Sequence, residues 1–165
     1  MLRSHGQVPG GTRVSPHFTF AELTTTEHRD FLYEQADAPP QVRANLLRLA
    51  VDLLEPARAL VGPLRVNSGY RCPGLNAAIG GSKTSRHMDG LAADVFPLEL
   101  DLVDAFERLA QSGVAFDQLI FEFGRWIHVG GAPHGHEPRL QRLAIYEPGR
   151  YERWTPADPR FRGCA

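Results

Sequence analysis

Cysteine is nearly absent: Cys72 and Cys164 are the two the chain has. So few cannot staple a small scaffold, which excludes a disulfide framework. Two free thiols are the expected state, with a Cys72–Cys164 bond through a loose C-terminal tail as the alternative. Long apolar runs are also missing. No stretch approaches the roughly 18 apolar residues of a membrane-spanning helix, so no span is expected. The opening MLRSHGQVPGGTRVSP lacks the apolar stretch of a secretory leader, which predicts a chain that is cytoplasmic as synthesised. Neither charge sign dominates. The formal net charge is -1 and the arginines are scattered, which argues against nucleic acid or an anionic membrane as partner. No internal repeat is present.

What remains is ordinary for a globular protein. Apolar residues make up 42% and charged residues 22% of 165 residues, enough for one domain with a sizeable core. A single domain over 1–165 is expected, with residues 1–16, rich in Gly and Pro, as an extended lead-in and 155–165 as a surface tail. Thr19-Phe20-Ala21-Glu22 has the form of a capping box, and so does Thr24-Thr25-Thr26-Glu27, which predicts a helix through Glu34 ended by Pro39-Pro40. Val42, Leu46, Leu49 and Leu53 recur at helical spacing up to Pro56, which should kink or end that helix. Short strands are expected at 64–67, 91–96 and 140–146, with a hairpin of 117–123 and 126–130 around Gly124. A helix face of Val103, Phe106, Leu109 and Ala110 lies between. Strands and helices in uneven order indicate an α+β domain: a small, mostly antiparallel sheet with helices packed on one side.

The densest chemistry lies in NSGYRCPGLNAAIGGSKTSRHMDGLAADVF, residues 67–96. Here Ser85-x-His87-x-x-Gly90-x-x-x-Asp94 sets an imidazole and a carboxylate around a glycine. A hydrolytic zinc ion usually takes three protein ligands of these types and keeps a fourth position open for water; with His128 from Trp126-Ile127-His128-Val129, His87 and Asp94 fill that quota. Gly90 favours a break, which puts His87 on a loop and Asp94 on a strand face shared with Ala92 and Phe96. His128 alone would read as a core histidine. His134 and His136, in GGAPHGHEP, imitate a metal motif but are expected on a loop or the plain surface.

The segments SGYR, LNAAIGGSKTSRHMDGLAADV and DQLIFEFGRWIHV resemble the M15 zinc peptidases, which comprise D-alanyl-D-alanine carboxypeptidases and dipeptidases together with bacteriophage cell-wall endolysins. Weaker similarity extends over about residues 15 to 130. The resemblance implies a Hedgehog or DD-peptidase-like fold, one Zn²⁺ held by His87, Asp94 and His128, and Arg71 engaging a substrate carboxylate or carbonyl. It further implies hydrolysis of a bond next to a D-amino acid in peptidoglycan peptides. A monomer is expected, and the missing leader fits a phage-type lysin released to the cell wall by another protein, or a cytoplasmic enzyme working on small peptides. Some members carry a Glu three residues before the last His ligand, or a His two before it. Here those positions are Arg125 and Trp126, so the general base must come from elsewhere.

Glu122 is the candidate base. A three-residue hairpin loop, 124–126, would place it directly across from His128 on one face, whereas a two-residue loop would separate them. The competing reading is a cross-strand salt bridge to Arg125 or Arg142. Arg71 suits bidentate capture of a carboxylate, and Ser85 and Tyr70 are the further substrate-contact candidates. The alternative to an enzyme is a catalytically silent, zinc-stabilised binding module of the same fold.

Overall fold

Thr19 closes a capping box with Glu22 and so starts a single helical turn, α1 (Phe20–Leu23), early in residues 11–163, which the computed structural model describes. Residues 1–10 of the expected lead-in and Cys164 lie outside that range. Cys72 is buried with a free thiol. The second expected capping box caps no helix. Thr26 instead accepts the His28 N–H in a tight turn, and helical residues start at a 3-10 turn (Arg29–Phe31) followed by α2 (Leu32–Ala36). Pro40 opens α3 (Pro40–Leu49) at its first position, where a missing amide costs nothing.

Pro56 does not end the long helix. A wide π-type turn (Ala50–Leu54) follows α3, with the Glu55 N–H reaching back to Ala50 O, and α4 (Glu55–Val61) continues beyond. The extra residue in that turn absorbs the carbonyl that Pro56 cannot bond. Then come β1 (Leu64–Ser68), α5 (Pro73–Ala78), a 3-10 turn (Arg86–Asp89), β2 (Ala92–Pro97) and α6 (Leu102–Ala110). The chain closes with β3 (Gln118–Glu122), β4 (Trp126–Gly130), β5 (Gln141–Glu147), β6 (Arg150–Arg153) and α7 (Pro159–Arg162). No described helix is long and apolar enough to cross a membrane.

The strands form one six-stranded sheet in the order β1-β2-β4-β3-β5-β6, antiparallel throughout except for the parallel pair β3 and β5. This is the α+β, mostly antiparallel arrangement the sequence indicates. Alternation divides its faces. Ala93, Val95, Leu119, Phe121, Ile127, Val129 and Ala144 point into the core with Leu46, Leu54 and Phe106 from the helices. Directly paired residues share a face, so the opposite face carries Asp94, His128, Ile120 and Leu143 in one row and Trp126, Glu122, Ile145 and Tyr151 in the next.

Between β4 and β5 the chain crosses the start of β3, and one ion pair fixes the crossing. The Arg139 guanidinium and backbone N–H all donate to the buried Asp117 carboxylate, at 2.6 to 3.1 Å. Burial works to raise the Asp117 pKa, but the Arg139 hydrogen bonds and charge outweigh it and hold the carboxyl below its ordinary value.

The described part of the expected surface tail is mostly exposed but is anchored at one residue. Phe161 is 0% exposed, and its ring meets Phe106, Phe121 and Trp154 edge-to-face with centroids 4.7 to 5.7 Å apart. Asp158 caps α7 and turns Phe161 inward. Charged neighbours on both sides, Arg160 and Arg162, disguise this single apolar anchor.

Phe161→Ala should therefore lower unfolding stability by about 3 kcal/mol in chemical denaturation, where a surface tail would show almost none. The depressed Asp117 pKa makes its stabilisation fully present above the unfolded value of about 4 and lost as pH falls through the folded value. The stability gap between wild type and Asp117→Asn should accordingly be widest above pH 4 and shrink in acid, as read from denaturation midpoints across pH.

Candidate metal centre

Two backbone segments must meet before any side chain can converge, and Gly69 lets them. A Cβ there would lie 2.2 Å from Leu23 O, so only glycine allows the end of β1 to press against α1, where the Tyr70 N–H donates to Leu23 O at 2.7 Å. The Gly69 carbonyl accepts a 2.6 Å hydrogen bond from His87 Nδ1, and the Arg71 N–H donates to His87 O at 3.1 Å. Gly90, left-handed at φ 68°, ends the 3-10 turn that carries His87. A Cβ there would meet Val42 O at 2.8 Å, and Asn45 Nδ2 donates to Asp89 O. His87 is thus held by β1 on one side and α3 on the other.

Asp94 and His128 arrive through the sheet, as direct partners on β2 and β4. The structure brings together the three residues that the spacing singles out. His87 Nε2 lies 3.2 Å from both His128 Nδ1 and Asp94 Oδ1, and His128 Nδ1 lies 3.0 Å from Asp94 Oδ1. All three are buried. The donor set fits a cation. A carbonyl can only accept, so His87 Nδ1 carries the proton and, with burial pushing the imidazole below its usual pKa despite the pull of Asp94, Nε2 presents a lone pair. That lone pair faces a carboxylate oxygen. Asp94 is held ionised, well below the usual carboxylate range, because His87 and His128 overcome the cost of burial. Tetrahedral zinc with ligands at its usual bond lengths separates them by about 3.3 Å, close to the edges of this triangle. Among the described residues this is the one His/Cys/Asp/Glu group close enough to hold a metal ion, and exposed His134 and His136 are not in it.

The second oxygen of Asp94 accepts from Arg71 Nη2, while Arg71 Nε donates to Ser68 Oγ at 2.9 Å. Arg71 therefore braces the carboxylate, and its Nη1 has no partner among the described residues. Gln35, 1% exposed, holds the backbone on both sides of Arg71: its Nε2 donates to Tyr70 O at 2.7 Å and its Oε1 accepts the Cys72 N–H at 2.7 Å. Nothing local to Gln35 marks this role, which only the packing of α2 reveals. Tyr70 is buried at 3% exposure, its phenol pushed up by burial and by Cys72, Glu34 and Asp37, so the substrate contact expected of it finds no exposed ring. Ser85 is half-buried and begins the 3-10 turn beside His87.

Glu122 reaches the metal face by a different register from the one expected. The hairpin loop is 123–125, with Phe123 and Gly124 both left-handed, so Glu122 pairs with Trp126 and Ile120 lies across from His128. The shift is two residues, which preserves parity and leaves Glu122 on the same face as His128, one row along. Its carboxylate accepts a 3.0 Å hydrogen bond from Trp126 Nε1. Burial and the negative charge of Asp94 raise its pKa above the ordinary value, against His128, Trp126 and Arg71. No salt bridge from Glu122 to Arg125 or Arg142 forms. Arg142 donates to Ala110 O and Leu140 O.

In comparisons with known proteins, residues 10–130 match the family model described as Peptidase M15. No curated protein matches the chain.

After zinc loading and desalting, elemental analysis should find about one ion per wild-type chain and close to none for Asp94→Ala. Zinc should also raise the melting temperature of the wild type while leaving His128→Ala unmoved.

Proposed function

This chain belongs to the M15 peptidase family and is a metallopeptidase; on that premise we propose that it hydrolyses a bond next to a D-amino acid in peptidoglycan stem peptides. The observation that carries the reading is the triangle of His87 Nε2, Asp94 Oδ1 and His128 Nδ1, with a half-buried glutamate on the same sheet face. His87, Asp94 and His128 would hold the zinc, which would supply a Lewis acid that polarises a carbonyl and acidifies water.

The remaining work falls to the chain's own residues. Glu122, kept basic enough by burial and by Asp94 to accept a proton, takes one from the attacking water and returns it to the leaving amine. Trp126 Nε1 fixes the carboxylate's direction by holding one oxygen, which leaves the other for the proton. Arg71 has a structural and a chemical end: Nε and Nη2 lock Ser68 and Asp94, and Nη1 binds the substrate's terminal carboxylate or, for an internal bond, the developing oxyanion. Ser85 contributes a hydroxyl beside His87 for the substrate backbone.

Glu122→Gln keeps the shape and the Trp126 contact while removing the base, so turnover should fall by about 10² to 10⁴ with zinc content unchanged. The assay is release of new amines from defined stem peptides, with fragments read by mass spectrometry. Loss of cleavage on amidating the peptide's C-terminus would identify a carboxypeptidase, and continued cleavage an endopeptidase. Near-wild-type turnover by zinc-loaded Glu122→Gln would overturn the base assignment.

A further inference from the structure

The family match stops at residue 130, but the sheet does not. Beyond β3 it continues into β5 and β6, and the row containing Trp126 and Glu122 runs on through Ile145 to Tyr151. Tyr151 therefore projects from the same face as Asp94, His128 and Glu122. It is a large aromatic side chain left 56% exposed, and its hydroxyl has no hydrogen-bond partner among the described residues. Between it and the metal ligands lie Ile120 and Ile145, each 4% exposed, which back the metal side of the sheet from outside the main core cluster. The phenol also feels its surroundings: burial raises its pKa first, followed by the charges of Glu122 and Asp94, with Arg71 opposing.

We propose that Tyr151 is the far wall of the substrate cleft, a subsite whose ring packs on an extended peptide at residues two to four positions from the bond cut. This deepens the peptidase reading and rests on it. Strands about 4.8 Å apart, and a step of two residues along the strand from the His128 row to the Trp126 row, put the Cα of Tyr151 roughly 16 Å from that of His128, which an extended chain covers in about five residues at 3.3 Å each. A dipeptide centred on the metal falls short of Tyr151, whereas a stem pentapeptide is long enough to meet it. The substrate class this favours is a peptide of about five residues.

Binding separates this subsite from the chemistry. Calorimetry on zinc-loaded Glu122→Gln would compare a synthetic stem pentapeptide with D-alanyl-D-alanine, and the comparison would be repeated in Glu122→Gln with Tyr151→Ala and with Tyr151→Phe. The pentapeptide should bind about tenfold more tightly than the dipeptide. Tyr151→Ala should bring that ratio close to one, and Tyr151→Phe, which keeps the ring, should retain most of it. A ratio unchanged by Tyr151→Ala, or no preference for length in the parent, overturns the proposal. Turnover of the same peptides by the protein with Glu122 intact is read separately: binding with the expected ratio but no cleavage sinks the peptidase reading and leaves the subsite standing.

Discussion

One buried carboxylate organises the molecule. Asp94 occupies the middle of a sheet face, where an isolated charge would be prohibitively costly, and every element of the site supplies something to offset it. His87 and His128 crowd one oxygen, and Arg71 takes the other. Each of these partners depends on a contact further out: His87 on the Gly69 carbonyl, Arg71 on Ser68 and on the Gln35 clamp, His128 on its pairing across β2 and β4. The network is polar, buried and satisfied on nearly every side, which favours a single arrangement of its members. At its centre it gathers three ligand atoms, His87 Nε2, Asp94 Oδ1 and His128 Nδ1, a donor set suited to a divalent cation.

The surrounding fold separates stability from chemistry by the alternation of the strands. Residues one apart on β2, β3 and β4 go alternately to the aromatic and aliphatic core and to the face that carries Asp94, His128 and Glu122. The helices supply the second half of the core, and α3 also reaches the site, pressing on Gly90 and holding Asp89 through Asn45. The fit between helix and metal loop is close enough to exclude a methyl group at either Gly69 or Gly90. The core thus positions His87 through backbone contact as well as through side chains.

Much of this was legible in the sequence, for reasons that differ from residue to residue. His87, Asp94 and His128 could be picked out because metal ligation restricts residue types so severely, and the α+β class followed from the order of periodic segments. The Glu122 face was recoverable because side chains alternate: an error of two residues in register leaves the face unchanged, though it misplaced the loop and the partner. At Pro56 the expectation was a kink or an end, and the chain answers with a widened turn that removes the conflict and lets the helix continue beyond it. Phe161 was hidden among arginines and a proline, so its burial depended on a pocket of rings, Phe106, Phe121 and Trp154, gathered from distant segments. Gln35 and Tyr151 carry no local signature at all. Their roles exist only once α2 has packed against the arginine segment and once two further strands have been added to the sheet.

The position of Tyr151 on β6 has a mechanical consequence. The metal ligands Asp94 and His128 sit on interior strands with neighbours on both sides, whereas β6 is a four-residue edge strand hydrogen-bonded to β5 alone. Edge segments of this kind fray at far lower free energy than the strands they border. The sheet is thus braced on both sides at Asp94 and His128 and on one side only at Tyr151, so its outermost strand can yield without disturbing the pairing between β2 and β4.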